Sequence, residues 1–339
     1  MIDLLVIGGG PIGLATAIEA RLAGLDVVIV EPRGSTIDKA CGEGLMPEAV
    51  NLLASIGVKL NGIAFRGIRY VSGARSIGAQ FTKGEGLGVR RTELHDAMHQ
   101  RAVELGVRWH QEKVTAVQQN DNSVEAAGHE SRYLIAADGL HSKVRSLIGV
   151  QQTSKKTRRY GERQHFYIEP WSDLVEVHWL PGAELYVTPV SKDIVGIAVL
   201  GERPLDLQSA IDSLPEIKSR LKDATIASEL KGAGPLRQRT SARTKGRILL
   251  VGDASGYVDA LTGEGLRIGL AEARAAVKAV VCNDPQSYEK EWLAITRSYR
   301  IMTGSLAWAA SHPKIRKLIV PAACSLPWLF QKIIDSLAN

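Results

Sequence analysis

The fold of this chain is decided by residues 1–33, which read MIDLLVIGGGPIGLATAIEARLAGLDVVIVEPR. The apolar run before the glycines predicts a buried strand. Pro11 suits the first turn of a helix, and an apolar helical face continues until Gly24 ends it. Residues 26–30 predict a second buried strand, and Glu31 closes it. This order of strand, glycine turn, helix, strand and acid is typical of a dinucleotide-binding βαβ unit.

The glycine turn has the spacing G-x-G-x-x-G at Gly8, Gly10 and Gly13. Gly8 permits the tight turn, Gly10 lets a pyrophosphate approach the backbone, and Gly13 lets the helix pack on the strand. The phosphates lie at the positive end of the helix, and Glu31 accepts hydrogen bonds from a ribose. A lone turn of this kind can be an ordinary βα connection, but the complete unit predicts an adenine dinucleotide site. The neighbouring residues predicted to line it are Pro11, Ile12, Pro32 and Arg33.

The composition, with 45% apolar and 23% charged residues in a chain of 339, is typical of a globular enzyme. The net charge of +6 is dispersed, apart from a basic cluster at residues 155–159. That cluster is interpreted as a solvated loop, with attraction of anionic cofactor or lipid headgroups as the alternative. No motif supports nucleic-acid binding, and nothing indicates an obligate protein partner.

Three separated cysteines, Cys41, Cys282 and Cys324, fit neither a disulfide framework nor a metal site. We therefore expect no metal and a reducing, cytoplasmic setting. The first strand begins too early to leave room for a secretory signal. The apolar stretch 318–330 contains two prolines and is shorter than the ~20 residues of a spanning helix. Peripheral contact of the protein with a membrane is kept as an alternative.

Changes of pattern along the chain predict two discontinuous domains and an extension. Strands 114–117 and 133–137 belong to the first domain, and one helix at 210–221 crosses the second. The predicted division is a parallel-sheet nucleotide-binding domain at 1–60, 88–150 and 246–300, a mainly antiparallel substrate domain at 61–87 and 151–245, and a C-terminal helical extension at 301–339.

Two acidic motifs follow the first unit: Ala-Asp-Gly at residues 137–139, with Ser142 and Arg145, and Gly-Asp-Ala at residues 252–254. Together the three signatures resemble the aromatic-hydroxylase-fold flavoproteins, the clan of para-hydroxybenzoate hydroxylase, flavin-dependent halogenases and geranylgeranyl reductases. Cys-Gly-Glu-Gly at 41–44 and the segment 252–265 look most like the geranylgeranyl reductase branch. The resemblance implies an α/β fold with a parallel-sheet FAD-binding domain, a mainly antiparallel substrate-domain sheet and C-terminal helices.

The resemblance also implies noncovalent FAD at these motifs. It places the pyrophosphate at the first glycines, the adenosine ribose at Glu31 and the ribityl chain at Asp253. Asp138 and Gly139 support the FAD site and, in the family, the use of a nicotinamide cofactor. Alone, Asp138 is interpreted as a helix cap and Arg91 as a surface arginine. The other predicted cofactor-binding residues are Cys41, Gly42, Arg91, Val114, Gly252, Gly263, Glu264, Gly265 and Leu266.

The sequence Gly-Glu-Gly-Leu occurs twice, at residues 42–45 and 263–266. Loops without side-chain bulk suit close approach to a flat ring, and the second loop opens a helix whose dipole stabilises an anionic reduced flavin. We therefore expect the isoalloxazine ring between these loops, the alternative being coincidence between two turns. Cys41 starts the first loop, where the reductase branch has a similar Cys-Gly, and is the candidate catalytic residue. In a reductase it donates a proton, whereas in a monooxygenase it only lines the pocket.

The leading functional prediction is NAD(P)H-dependent mono-oxygenation of a hydrophobic or aromatic small molecule. With only one dinucleotide fingerprint, the nicotinamide binds transiently or another donor replaces it. The alternative is reduction of double bonds in a prenyl or polyketide lipid. The reductase branch's Y-x-W-x-F-P segment is missing, the nearest segment being 185–189, and so is the W-x-W-x-I-P of halogenases. Candidate substrate-pocket residues are His178, Trp179 and Tyr186.

The C-terminal stretch 305–337 mixes large apolar with basic side chains. We expect it to cap the substrate pocket or to pack in the core. The alternative is that it rests on an anionic membrane surface.

Overall fold

The structure, a computed structural model, describes residues 1–34, 36–153 and 158–338. The basic cluster at 155–159 therefore lies mostly outside the described residues. Arg159, at its end, is not a solvated loop residue, because it is buried in an ion pair with Glu184.

The described strands alternate with helices in the first half of the chain and form long consecutive runs in the second. The strands are β1 (Ile2–Ile7), β2 (Val27–Val30), β3 (Gly44–Leu45), β4 (Ile63–Phe65), β5 (Gly67–Ser72), β6 (Arg75–Gln80), β7 (Gly86–Gly88), β8 (Arg108–His110), β9 (Val117–Gln119), β10 (Val124–Ala126), β11 (His129–Ala136), β12 (Gln151–Gln152), β13 (Arg159–Tyr167), β14 (Leu174–Trp179), β15 (Ala183–Ser191), β16 (Ile194–Glu202), β17 (Thr225–Ile226), β18 (Lys231–Ala233), β19 (Arg239–Thr240), β20 (Thr244–Lys245) and β21 (Ile248–Leu250).

Long helices flank the first sheet, and short helices follow one another at the C-terminal end. The helices are α1 (Pro11–Leu22), α2 (Pro47–Ser55), α3 (Arg91–Glu104), α4 (Lys143–Leu147), α5 (Leu207–Asp212), α6 (Pro215–Arg220), α7 (Gly265–Val281), α8 (Ser287–Ala310), α9 (Pro313–Arg316), α10 (Ile319–Ser325) and α11 (Pro327–Ala338), with a 3-10 turn at Gly252–Ser255.

The first sheet has the order β20-β21-β11-β1-β2-β8, with the β9–β10 hairpin attached to β11. Five neighbouring strands, β21, β11, β1, β2 and β8, are parallel, and alternate residues of β1 and β2 pack into apolar clusters on both faces. Because the strands are parallel, the glycine turn after β1, Glu31 after β2, Asp138 after β11 and Asp253 after β21 share one edge. Ligands of open α/β sheets bind at this edge.

The second sheet has the order β17-β13-β16-β15-β14-β5-β6, and its pairings are antiparallel except β14 with β5. Helices α5 and α6 cover one face, where Leu185 and Val187 meet Leu207 and Ile217. The other face packs against the C-terminal helices. A parallel-sheet FAD-type domain, an antiparallel sheet and C-terminal helices confirm the predicted fold class.

The C-terminal helices pack on the second sheet. The ring of Phe330 meets that of Tyr70 edge-on at 5.0 Å, and Arg316 pairs with Glu184 at 2.7 Å. Helix α8 runs through residue 301, the predicted start of the extension. Among the described residues, no individual helix has both the length and the apolar character of a membrane span. Residues 313–325 and 327–338 reach that length and apolar character only when they are taken together, and the pair is bent by 103°.

Two predicted elements are wrong. The strand predicted at 114–117 begins only at Val117, because the chain turns after β8, where Glu112 N–H donates to the carbonyl of His110. The helix predicted at 210–221 is two short helices, α5 and α6. Proline disfavours helical backbone at the preceding residue, so Leu214 is extended and Pro215 begins a new helix.

Candidate functional site

The glycine turn between β1 and α1 leaves room for a pyrophosphate. Gly8 has a φ of +104°, and a Cβ at Gly13 would lie 1.8 Å from the carbonyl oxygen of Gly8. A Cβ at Gly10 would meet no atom within 4 Å, and Gly10 caps α1 without a side-chain hydrogen bond. The first-turn N–H groups of α1, which include that of Ile12, are therefore open to an anion. This cradle fits the pyrophosphate of FAD, with Pro11 as the first residue of the helix.

Glu31 is buried at the end of β2, beside the glycine turn. Its Oε2 accepts a hydrogen bond from Gly9 N–H at 2.9 Å, and its Oε1 accepts one from Arg33 Nε at 2.6 Å. Burial raises the pKa of Glu31, but the hydrogen bonds from Arg33 and Gly9 outweigh it and hold the pKa below its usual value. The carboxylate is thus ionised and suited to ribose hydroxyls. Pro32, between Glu31 and Arg33, is exposed. Val114 is buried in the apolar cluster beneath β2.

Replacing Glu31 with alanine is expected to weaken FAD retention by about 1–3 kcal/mol, because it leaves ribose hydroxyls and Gly9 N–H without an acceptor. Titration of the apoprotein with FAD measures the change. Asp26→Ala is the control, since Asp26 lies at the other end of β2 in an exposed pair with Arg108. Equal affinities for the Glu31→Ala protein and this control would place the ribose elsewhere.

Asp138 lies at the turn that follows β11. Its Oδ2 accepts a hydrogen bond from Val144 N–H at 3.0 Å, so it supports the start of α4 as a helix cap does. Its Oδ1 is buried without a partner among the described residues, and burial raises its pKa. This orphaned oxygen fits a site that receives a polar group. Gly139, with a φ of +79°, turns the chain next to it.

Arg145 ties the two acidic motifs together. Its buried guanidinium donates hydrogen bonds to the carbonyl oxygens of Leu140, Asp253 and Ala254 at 2.7, 3.2 and 3.1 Å, and to Gln238 Oε1 at 3.0 Å. The turn after β11 and the turn after β21 therefore share one charged side chain. Asp253 lies in this junction, and burial raises its pKa although Lys39, Arg91 and Arg145 oppose the rise.

Two cations face the same edge of the sheet. Lys39 Nζ lies 3.3 Å from where a Cβ at Gly139 would sit, and burial, together with the charges of Arg33 and Arg91, lowers its pKa. Arg91 begins α3, and its buried Nε has no partner among the described residues. The unpartnered Arg91 Nε and the charge of Lys39, both acting near Asp253, fit a diphosphate cofactor. Lys39 gave no signal in the sequence, because it stands alone in an irregular loop.

The two Gly-Glu-Gly-Leu loops adjoin one another. A Cβ at Gly263 would lie 3.4 Å from Cε of Met46, which follows the first loop, and a Cβ at Gly42 would meet nothing within 4 Å. Gly265 begins α7, and Leu266 packs partly into the core. The loops therefore leave an open face at the N-terminus of α7, where we expect the isoalloxazine ring.

The glutamates of the two loops have different partners. Glu43, with a φ of +59°, accepts a hydrogen bond from Arg91 N–H at 2.8 Å and bonds His165 of β13. It therefore joins the first loop to the second sheet. Glu264 accepts from Arg267 at 2.6 Å, and burial raises its pKa despite that bond.

Cys41 is half-buried beside the first loop, and its Sγ accepts a hydrogen bond from Glu43 N–H at 3.5 Å. Tyr257 lies in the segment before the second loop, and its hydroxyl is 3.4 Å from where a Cβ at Gly265 would sit. Burial raises the pKa of Tyr257 well above its usual value, and Cys41 is among the charges that add to the rise. Sequence reasoning missed this phenol, although it lies within the 252–265 segment.

The three predicted pocket residues do not share one face of the second sheet. Trp179 and Tyr186 lie on the face that packs against the C-terminal helices, and Tyr186 Oη donates to the carbonyl of Leu261 at 2.9 Å. His178 projects from the opposite face, which α5 and α6 cover, and bonds Glu176 at 3.1 Å. Placing His178 in the same pocket as Trp179 is wrong, because successive residues of a strand point to opposite faces.

Glu272 is a further buried acid that supports the site from α7. Its Oε2 accepts hydrogen bonds from Gly252 N–H at 2.6 Å and from Ser255 Oγ at 3.1 Å, which fixes the turn carrying Asp253. Gly252 has a φ of +59°, and its close packing against Ile12 joins this turn to α1. Burial raises the pKa of Glu272 to about 8. An acid within the apolar stripe of a helix was the signal that could have revealed it.

The raised pKa of Glu272 makes stability depend on pH. Between the ordinary value of 4.5 and about 8 the unfolded chain loses this proton and the folded chain keeps it, so its stabilising contribution falls as pH rises through that window. The slope is at most about 1.4 kcal/mol per pH unit. Glu272→Gln is expected to remove this component, as urea unfolding at several pH values measures. Parallel pH profiles for the two proteins would contradict the assignment.

A family model described as an FAD binding domain matches residues 1–283. The chain belongs to this family. Its relatives include the menaquinone reductase of Mycolicibacterium smegmatis, 27% identical over 338 residues that cover 88% of this chain and 80% of that protein. The digeranylgeranylglycerophospholipid reductase of Methanocaldococcus jannaschii is 24% identical over 355 residues, covering 94% and 86%.

The solved structure of p-nitrophenol 4-monooxygenase from Pseudomonas putida matches with a TM-score of 0.80 at 18% identity, covering 100% of this chain and 98% of that one. At this identity the match shows the fold alone. The family and its relatives confirm the predicted resemblance to the aromatic-hydroxylase fold with reductase-like relatives. This member of the FAD-binding family is an FAD-dependent oxidoreductase.

Proposed function

We propose that this chain reduces carbon–carbon double bonds in the isoprenoid part of a lipid. The observation that carries the proposal is the position of Cys41, half-buried beside the first glycine loop, with the hydroxyl of Tyr257 close to Gly265 of the second loop. Support also comes from the two relatives described above, since their names identify them as reductases of menaquinone and of a geranylgeranyl phospholipid. This proposal reverses the order of the two sequence-based alternatives.

Saturating a double bond needs a hydride and a proton, and the chain's own residues can supply the second. Reduced FAD, when bound, would supply the hydride for one carbon of the double bond. The Cys41 thiol, half-buried at the loop, donates the proton to the other carbon. Tyr257 stays protonated over the working pH range because burial raises its pKa, so its hydroxyl is a second proton donor close to Gly265 of the second loop.

The aromatic face of the second sheet is covered by the C-terminal helices. Tyr70 and Trp179 meet edge-on at 5.4 Å and lie in one buried cluster with Tyr186 and the C-terminal Phe330. For reduction of the cofactor we propose NAD(P)H, bound transiently, because the chain contains a single dinucleotide fingerprint.

Mono-oxygenation of a hydrophobic or aromatic small molecule is the second candidate. It is favoured by residues 185–189, which lack the aromatic segment that lines the lipid pocket in the reductase branch. Oxygen transfer needs no proton from Cys41, so the two reactions differ in what the thiol does.

Rapid mixing of the reduced holoprotein with a lipid in the absence of oxygen tests the proposal. A geranylgeranyl phospholipid, which has no quinone ring to oxidise the flavin, is the probe, and the return of oxidised-flavin absorbance is the signal. We expect lipid-dependent reoxidation without oxygen. Reoxidation that needs oxygen with this lipid would favour the second candidate.

We further propose that the C-terminal helices contact an anionic membrane surface, because a lipid substrate resides there. Their outward side exposes Trp308, Leu318 and Trp328, and Lys314 and Lys317 lie nearby in sequence. Apolar side chains among lysines are typical of interfacial helices. The inward side of the same helices packs on the second sheet, as the capping prediction expected.

Flotation with liposomes tests this surface. The unaltered protein is expected to float with anionic vesicles, and replacement of Trp308, Leu318 and Trp328 by serine is expected to lower recovery several-fold. Ile226→Ser is the control, since Ile226 is 62% exposed on β17 of the second sheet. Equal recovery with and without anionic lipid would dispose of the membrane proposal.

A further inference from the structure

A groove of about 350 Å³ lies along α8, outside the site described above. We name it the arginine groove. Four of its residues recur at helical spacing on one side of α8, one comes from the loop before β19, and one comes from the loop before α7. Its lining is Arg237, Val258, Leu293, Arg297, Arg300 and Ile301.

The three arginines of the groove form no ion pairs in the described part of the chain. Within residues 1–34, 36–153 and 158–338, none of their guanidinium groups forms an ion pair with a carboxylate, and the buried Arg237 Nε has no hydrogen-bond partner. Asp259, whose charge acts on Arg237, is already paired with Arg159 at 3.2 Å. The terminal nitrogens of Arg145, by contrast, donate to four acceptors. Arg300 lies over the ring of Trp292 at 5.2 Å, a contact that leaves it without a carboxylate partner among the described residues. Three guanidinium groups without ion pairs in one groove form an anion-binding arrangement.

The walls of the groove add an apolar component. Leu293 and Ile301 are 52% and 61% exposed on the same side of α8 as Arg297 and Arg300. Arginine forks match the oxygens of phosphate esters, whereas exposed leucine and isoleucine match a hydrocarbon or a flat base. The ligand therefore combines a phosphate with an apolar part.

From this lining we infer that the arginine groove binds the phosphate or diphosphate ester of an amphiphilic ligand. Two sources carry this chemistry: the headgroup of a lipid and the phosphate of a nicotinamide nucleotide. The inference concerns binding of the ester and goes beyond the proposed reaction.

The groove is linked to the flavin side of the molecule by a short backbone ladder. Gln238, next to Arg237, exchanges hydrogen bonds with Tyr257 at 2.9 and 3.1 Å, and Val258 follows Tyr257 into the groove. A ligand held by Arg237 is therefore connected, through Gln238, to the loop that places the Tyr257 hydroxyl at Gly265. An ester bound there would be anchored one loop away from the reacting groups.

Calorimetric titration of the FAD-loaded protein tests the inference with three probes: geranylgeranyl diphosphate, geranylgeraniol and 2′,5′-ADP. The double variant Arg297→Gln/Arg300→Gln is expected to bind the phosphate-bearing probe at least roughly tenfold more weakly, because two charge-assisted contacts are lost. Geranylgeraniol, which has no phosphate, is expected to bind both proteins equally. Arg75→Gln, at an exposed arginine of β6, is the matched control.

The probes separate the two sources. If the double variant binds only geranylgeranyl diphosphate more weakly, the natural ligand is a lipid headgroup. If it binds only 2′,5′-ADP more weakly, the natural ligand is the nicotinamide nucleotide. FAD content and thermal unfolding establish that the double variant is folded. Undetectable binding of both phosphate-bearing probes, or unchanged affinity in a folded double variant, would overturn the inference. Since turnover is not measured, the result is independent of which reaction the flavin supports.

Discussion

Cys41→Ser protein is expected to bind FAD and accept electrons normally, yet to form saturated product at least roughly 100-fold more slowly. The serine hydroxyl can still accept the hydrogen bond from Glu43 N–H, so the loop is retained. What it lacks is acidity, because an alcohol is a far weaker proton donor than a thiol. Product formation in single turnovers, beside FAD content and the rate of flavin reduction, measures the effect.

Cys282→Ser is the control for this change, since Cys282 is exposed at the end of α7. It should leave all three quantities unaltered. If Cys41→Ser slows product only modestly and instead changes coupling to oxygen, the thiol lines the pocket, and mono-oxygenation becomes the better account. Slowed flavin reduction would show that Cys41 supports the cofactor itself.

Arg145→Met is expected to lower the free energy of unfolding by roughly 3–5 kcal/mol and to abolish FAD retention. The substitution keeps the apolar bulk but leaves four acceptors without their donor, among them the backbone carbonyls of Asp253 and Ala254. The turns after β11 and β21 then lose their common support. Urea unfolding of the apoprotein measures the stability, and absorbance of the purified protein measures bound FAD.

Arg75→Met is the comparison for stability, because Arg75 is exposed on β6 and its loss should cost no more than about 0.5 kcal/mol. An Arg145→Met protein that is as stable as this control and stays yellow would show that the two turns are held independently. A protein that is unstable but still retains FAD would assign Arg145 to folding alone.

The parts of the site within reach of the sequence are those built from short-range signals. One turn contains Gly8, Gly10 and Gly13, and their roles follow from backbone sterics. The structure shows this steric limit at Gly13, where there is no room for a Cβ. The acids at 138 and 253 directly follow buried strands, so parallel pairing alone brings them to one edge. The two glycine loops can likewise be recognised from their residue composition.

Contacts across long sequence separations were out of reach. Glu43 bonds His165, 122 residues away, and nothing local to either residue indicates the other. Lys39 reaches the Asp138–Asp253 edge from an irregular loop, whose path depends on the packing of both sheets. The arginine groove likewise combines α8 with two distant loops, so only the folded chain reveals it.

Two errors were avoidable from elementary geometry. His178 and Trp179 are neighbours on one strand, so period-two alternation alone places them on opposite faces. Pro215 within the predicted helix 210–221 restricts the residue before it and forces a helix boundary there. In both cases the prediction relied on an apolar sequence pattern, although strand alternation or the restriction before proline already excluded it.

Mass analysis of the product formed under isotopically labelled oxygen tests the central claim most directly. The holoprotein is supplied with NADPH and a geranylgeranyl phospholipid, which has no quinone ring to reduce, and parallel reactions are run without oxygen. The account predicts a product that has gained two hydrogen atoms and no labelled oxygen, in equal yield with and without oxygen. A product that carries the label, and that fails to form when oxygen is removed, would contradict double-bond reduction.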